Sequence, residues 1–126
     1  LLRFEGFTGT IRTLLTDVDI YDPSTGTWST ANPMAEGRAF HGAMLLANGR
    51  VLVIGGNRTD ERAEVYDPAT DAWSSGDKIK QTRGNGHTAT LLGDGTVLVV
   101  GGKKSTSEGD LGLAAVEIYN PAAIVK

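Results

Sequence analysis

The sequence has no cysteine, only 4 prolines in 126 residues and a formal net charge of just −3. Without cysteine the stretch holds no disulfide, no thiolate nucleophile and no cysteine metal ligand. The redox compartment stays open, because secreted and cytosolic proteins can both lack cysteine. A slightly acidic balance gives no electrostatic footprint for a phosphate backbone, so nucleic acid is not an expected partner. No apolar run approaches the roughly 20 residues that cross a bilayer as a helix, and nothing at the start reads as a signal peptide, so no membrane partner is expected. Helical periodicity is absent throughout. The chain opens on Leu1-Leu2-Arg3-Phe4 rather than on methionine, which reads as a piece of something longer.

What is abundant is glycine, 17 in all, and it recurs in order. Tyr21-Asp22-Pro23-Ser24-Thr25-Gly26-Thr27-Trp28 returns 45 residues later as Tyr66-Asp67-Pro68-Ala69-Thr70-Asp71-Ala72-Trp73. Arg38 and Arg83 keep the same offset. Past the arginine it grows to 46, carrying His41 to His87 and Gly55-Gly56 to Gly101-Gly102. A third tyrosine, in Ile118-Tyr119-Asn120-Pro121, follows Tyr66 after 53 residues, because the loop beyond Gly102 is longer. A fixed internal period of this size is the mark of a repeat architecture.

Each unit reads as four strands. Two apolar, β-prone runs flank Asn48-Gly49 in one copy and Asp94-Gly95 in the next, and these dipeptides predict tight type I′ hairpins. The second run, Val51-Leu52-Val53-Ile54 or Val97-Leu98-Val99-Val100, is almost wholly apolar, which predicts burial on both faces. A glycine pair ends it. A polar loop leads to a third strand, Ala63-Glu64-Val65-Tyr66 or Val116-Glu117-Ile118-Tyr119. Asp-Pro makes the next turn, and a short fourth strand carries the tryptophan.

An arginine before a histidine-led strand, an Asn-Gly or Asp-Gly hairpin, the Gly-Gly pair, Tyr-Asp-Pro and the following tryptophan resemble the kelch repeat. The wording Leu91-Leu92-Gly93-Asp94-Gly95-Thr96-Val97-Leu98-Val99-Val100-Gly101-Gly102 is similar to bacterial kelch proteins and to the propeller domain of galactose-oxidase-like proteins. The resemblance implies an all-β fold: a kelch-type β-propeller segment of four-stranded antiparallel blades, with binding surfaces on loops at the faces of the disc. Other propeller families fit less well. There is no Trp-Asp dipeptide, and where the sialidase Asp-box needs aspartate and glycine before the tryptophan the chain has Pro23 and Thr25, then Pro68 and Thr70.

Read this way, residues 1–37 form an incomplete first blade, 38–82 a second and 83–126 a third truncated in its last strand, about two and a half blades in all. Residues 1–6 align with a second strand, and the chain ends at Lys126 where a tryptophan would stand. Since propellers close with about four to eight blades, the expectation is an excerpt, or a chain completed by other copies.

Candidate chemistry is sparse. His41 and His87 recur with the repeat, which assigns them a structural place at the start of the first strand rather than a metal site. Arg38 and Arg83 recur too. Their structural reading is a hydrogen bond or ion pair between blades, while the resemblance implies that arginines near such connections line a ligand-binding face. Gly84-Asn85-Gly86-His87 matches a loose dinucleotide fingerprint but leads into a strand, not the helix that motif needs. Asp17, Asp19 and Asp22 lack the ligand spacing of a calcium loop, and read as strand charges plus one turn former. Asn57-Arg58-Thr59 fits an N-glycosylation acceptor. The loops over 57–62 and 103–113 vary while the framework stays fixed, and loops on a rigid scaffold carry recognition. The expected binding residues are therefore Arg38, Arg58, Asp60, Arg62, Arg83, Lys103 and Lys104, with no catalytic residue, no metal ligand and no cofactor.

Three functions follow as expectations. The first is a non-catalytic module recognising a protein, peptide or glycan through face loops, since no acid–base or nucleophile–base set converges. The second is an excerpt of a galactose-oxidase-like copper oxidase. That resemblance implies tyrosines, histidines and a cysteine-modified tyrosine at the metal, and the cysteine would have to lie outside this chain. The third is a fragment that assembles with other copies into a closed homo-oligomeric propeller. Localisation is open, with a lean towards an exported bacterial protein from the resemblance alone.

Overall fold

The computed structural model describes residues 2–4, 7–8, 13–57 and 61–121. Every described strand pairing is antiparallel, and the strands fall into three successive sheets with one small hairpin. The first sheet has β1 (Leu2–Phe4), β4 (Val18–Asp22) and β5 (Thr27–Thr30) side by side, with β2 (Phe7–Thr8) and β3 (Thr13–Leu14) pairing as a hairpin between β1 and β4 in the chain. The second is a complete meander of β6 (Gly42–Leu45), β7 (Val51–Ile54), β8 (Arg62–Asp67) and β9 (Ala72–Lys78). The third places β10 (Asn85–Leu91) beside β11 (Val97–Thr106), with β13 (Val116–Tyr119) on its other edge. The far end of β11 continues into a second pairing with β12 (Gly109–Gly112). These sheets are referred to as blades 1, 2 and 3.

The hairpins differ from the expected type I′ geometry. Gly49 and Gly95 have positive φ, at 83° and 86°, but Asn48 and Asp94 do not. Leu46 N–H donates to Arg50 O and Gly49 N–H to Leu46 O, at 2.8 and 3.0 Å; Leu92, Thr96 and Gly95 repeat the pattern at the same distances. This is the three-residue loop, a type I turn closed by a left-handed glycine. Asn48 and Asp94 serve through their side chains instead: Oδ1 accepts from the amide of Arg50 at 3.1 Å and of Thr96 at 3.0 Å. The Asp-Pro turns behave as read, with Asp22 Oδ1 accepting from Ser24 N–H at 2.8 Å and Asp67 Oδ1 from Ala69 N–H at 3.0 Å.

Alternation then builds two seams. From β7, Val53 joins Val18, Ala31, Met34 and Tyr66 in a cluster against blade 1, with Ile20, Val51 and Trp73 at its margin. Leu52 and Ile54 face the other way and pack with Ala63, Val65, Ile79, Val97, Val99 and Tyr119 against blade 3. Leu52, Val53 and Ile54 are wholly buried, so the reading of a strand covered on both faces holds in blade 2. Each such side chain stabilises the fold by about 1.5–3 kcal/mol relative to exposure. At the outer rim, Asn32 clasps blade 2: its N–H donates to Asp71 Oδ1 at 2.9 Å, its Nδ2 to Asp71 O at 2.7 Å, and its O accepts from Trp73 Nε1 at 2.8 Å. Asp71 holds positive φ where the preceding unit uses Gly26, and its Oδ1 also takes the Tyr66 hydroxyl at 2.9 Å.

Candidate functional site

In a meander the connections alternate between the two ends of the sheet. The turns at Asn48-Gly49 and Asp67-Pro68 lie at one end. The loops after the glycine pairs and the links between blades lie at the other, the end where the sequence places recognition. Backbone bonds confirm this grouping. Ala39 N–H donates to Gly56 O at 3.0 Å, Gly56 N–H to Arg83 O at 2.9 Å, and Gly84 N–H to Lys103 O at 2.8 Å.

Two arginines dominate this end from beneath. Arg38 is fully buried, and its Nε lies 3.1 Å from Glu64 Oε2. Its Nη1 donates to Gly55 O at 2.9 Å and its Nη2 to Arg62 O at 2.6 Å. Glu64 completes the knot by accepting from Ala35 N–H at 2.7 Å and Glu36 N–H at 3.3 Å. Arg83, also fully buried, repeats the arrangement one blade on. Its Nη2 lies 3.1 Å from Glu117 Oε2, and its Nη1 donates to Gly101 O and, at 3.2 Å, to Ala115 O. Glu117 takes Lys80 N–H at 3.1 and 3.2 Å. Each pair pins the link between blades onto the third strand of the blade that follows. Burying two charges is costly unless they pair and their remaining bonds are met, and here backbone groups on both sides meet most of them. Of the two structural alternatives for these arginines, the geometry has both a hydrogen bond and an ion pair; the ion pair lies within a blade rather than between blades, and a ligand contact would require the knot to open. The sequence reading did not single out Glu64 and Glu117. Their signal was a carboxylate recurring two residues before Tyr66 and Tyr119, with Asp19 in the same place before Tyr21.

Of the other expected binding residues, Arg58 and Asp60 lie outside the described residues. Arg62 is exposed at the start of β8, while its carbonyl serves Arg38. Lys103 and Lys104 are exposed on a hairpin the sequence had read as a polar loop. In it Lys104 stands opposite Leu111, an exposed apolar side chain, and Ser105 stands opposite Asp110. Thr106 Oγ1 closes the tip by donating to Gly109 O at 2.7 Å. Asn57, the candidate glycosylation acceptor, is only 5% exposed, and its Nδ2 donates to Gly37 O at 2.9 Å, so a glycan could not attach without opening that bond.

His41 and His87 both sit against a glycine pair, and His87 bridges a seam. His87 Nε2 lies 3.1 Å from Ile54 O in the preceding blade, which places the ring proton on Nε2. Its ring occupies the space where Gly55 has no side chain. Burial lowers the pKa of both: to about 4 for His41, where Arg38 and His87 add repulsion, and also below the ordinary value for His87, where the bond to Ile54 O works partly against burial. Gly84-Asn85-Gly86 enters β10, a strand. Asp17 precedes β4, Asp19 lies within it, and Asp22 forms the turn that ends it. Among the described residues no group of three or more histidine, cysteine, aspartate or glutamate side chains could hold a metal ion.

Comparison with known proteins agrees with this geometry. A family model described as the kelch motif matches residues 6–35. Comparison with curated proteins gives no match. Among solved structures, a novel fungal alcohol oxidase with catalytic diversity among the AA5 family, in complex with copper, superposes with a TM-score of 0.70 at 24% identity. The match covers 94% of this chain and 24% of the oxidase, so the chain spans about a quarter of that protein's length. The chain thus resembles a segment of a kelch-type β-propeller, all-β and built of antiparallel blades.

Proposed function

We propose that the chain is the binding scaffold of a kelch-type module, recognising a protein, peptide or glycan through the loops at the Arg38–Arg83 end of its blades. The observation that carries this reading is the β11–β12 hairpin. It lifts Lys103, Lys104 and Leu111 clear of a framework whose own arginines are buried in structural pairs. A rigid base with exposed side chains of mixed charge and one apolar anchor suits recognition. Arg62, exposed at the same end of blade 2, extends the surface.

The copper of the oxidase belongs to that protein, and the described residues here do not fit such a site. His87 Nε2 is engaged by Ile54 O. The Tyr66 and Tyr119 hydroxyls donate to Asp71 Oδ1 and Asp77 O, and burial pushes both phenols up to about 12. No step of oxidation chemistry is derived from them.

The test is a binding screen of the chain against a glycan array and a displayed peptide library. Lys104→Glu with Leu111→Asp should abolish whatever binding the wild type shows, with melting unchanged. Ala69→Ser at the opposite end should leave it intact. No binding by the wild type to either probe set, or binding indifferent to the hairpin double variant, overturns the reading.

A further inference from the structure

The two buried arginines also donate to carbonyl oxygens, and the carbonyls they reach repeat from blade to blade. Arg38 Nη1 donates to Gly55 O at 2.9 Å and Nη2 to Arg62 O at 2.6 Å. Gly55 follows β7 and Arg62 opens β8, so one guanidinium grips both feet of the loop between those strands. Arg83 does the same one blade on, its Nη1 donating to Gly101 O and, at 3.2 Å, to Ala115 O. Arg62 and Ala115 hold the same place, each four residues before the tyrosine of its third strand. What the feet carry differs: residues 56–61 in blade 2, and residues 102–114 with the β11–β12 hairpin in blade 3.

Loops of two sizes thus leave the blades through mouths of one construction. Each guanidinium is itself held by a carboxylate of the third strand, Glu64 on Arg38 Nε and Glu117 on Arg83 Nη2, both at 3.1 Å. A charged donor holds a carbonyl more firmly than a neutral one, and closure entropy grows only slowly as a loop lengthens. At the blade 3 mouth two backbone bonds complete the closure, Gly101 N–H to Ala115 O at 3.0 Å and Leu113 N–H to Gly102 O at 2.9 Å.

We propose that Arg38 and Arg83 are positioning residues for the face loops. Each fixes a mouth of constant form, so the loop mounted on it can be exchanged without rebuilding the blade. Arg83 in this way orients the hairpin that bears Lys103, Lys104 and Leu111. Its bearing on recognition rests on the function proposed above, whereas the clamp itself does not.

Hydrogen exchange resolved by residue tests the clamp without any ligand. Arg83→Lys keeps a positive charge beside Glu117 but lacks the fork that spans two carbonyls and a carboxylate. The amides of Gly101 and Leu113 should then exchange at least about tenfold faster. Those of Val97 and Val99, in the middle of the same strand, should keep their protection. Arg38→Lys should leave all four unchanged. Equal acceleration throughout blade 3 would make Arg83 a general stabiliser and overturn the proposal, as would no acceleration at the mouth. A second variant replaces residues 102–114 by the blade 2 sequence Gly56-Asn57-Arg58-Thr59-Asp60-Glu61 in the full chain. It should melt within a few degrees of the wild type and keep Val97 and Val99 protected. Loss of that protection overturns the proposal whether or not Arg83→Lys folds. A binding screen without a hit would sink the recognition reading alone, because exchange decides the clamp.

Discussion

Blades 2 and 3 turn nearly the same residue types outward, yet one face is core and the other is surface. In blade 2, Leu52, Ile54, Ala63 and Val65 are buried; in blade 3, Val100, Val116 and Ile118 at the matching positions are exposed. The local sequence and the strand register are the same in kind, so neither accounts for the difference. The neighbour does. A blade of four short strands cannot bury its own apolar face, and it acquires a core only by stacking. An apolar second strand therefore encodes a capacity for burial, which each blade realises as far as something covers it.

The largest expected effect separates the two faces directly. Leu52→Ala should cost about 2–5 kcal/mol, because a wholly enclosed side chain leaves a cavity between two packed sheets. Leu98→Ala, half-buried at the matching position in blade 3, should cost only about 1 kcal/mol, since none of the described sheets faces it. Urea midpoints under dilute conditions check both. Equal penalties in dilute solution would remove the distinction between the two faces.

A smaller contrast lies at the glycine pairs. Gly55 and Gly101 both have positive φ, at 74° and 68°. A side chain at Gly55 would run into the His87 ring, whereas at Gly101 the nearest neighbour is Leu113 O at 3.8 Å. Alanine at Gly101 should cost about 1 kcal/mol, for backbone strain alone. At Gly55 the same strain is joined by displacement of His87 and loss of its bond to Ile54 O, about 3 kcal/mol in all. Thermal melts of the two variants resolve the gap. A Gly101 variant as damaged as the Gly55 variant would mean that something occupies the space above blade 3.

How far the sequence revealed these features depends on which of them repeat. Strand order and the Tyr-Asp-Pro turns were legible because the landmarks kept their spacing across units. The Arg38–Glu64 and Arg83–Glu117 pairs were half legible. The arginines stood out, but their partners lie 26 and 34 residues away, and a glutamate inside a short strand reads as an ordinary outward charge. Hairpin type was not legible, because Asn-Gly serves both the two-residue turn and the three-residue turn with a left-handed glycine, and the side-chain bond from Asn48 to Arg50 selects the latter. The β11–β12 hairpin escaped for a different reason. Residues 103–113 outrun the matching loop at 57–62, so the repeat does not align them, and they carry no alternation strong enough to separate strand from solvated loop. The binding residues proposed above are the least legible of all, because they lie where the repeat breaks.

The remaining effect expected is a pH dependence carried by the two histidines. His41 and His87 are the only histidines in the chain, and each sits on a blade that has a neighbour. Burial, with Arg38 nearby, lowers the His41 pKa from 6.5 to about 4, and burial also lowers that of His87. Between these values the unfolded chain binds a proton that the folded chain refuses, so stability is full above about pH 6.5 and falls as the pH drops towards 4. For His41 the loss should reach about 2 kcal/mol at pH 5. Asp22 and Asp94 fall outside this window: hydrogen bonds from Ser24 and Thr96 hold these exposed carboxylates below 3.8. His41→Gln should therefore flatten the urea midpoint between neutral pH and pH 5, and His87→Gln should flatten it further while keeping a donor for Ile54 O. Leu98→Ala, on the uncovered face, should shift the whole profile without changing its slope. A slope that persists in the doubly substituted chain would place the titrating group away from the seams and break the link between blade stacking and acid sensitivity.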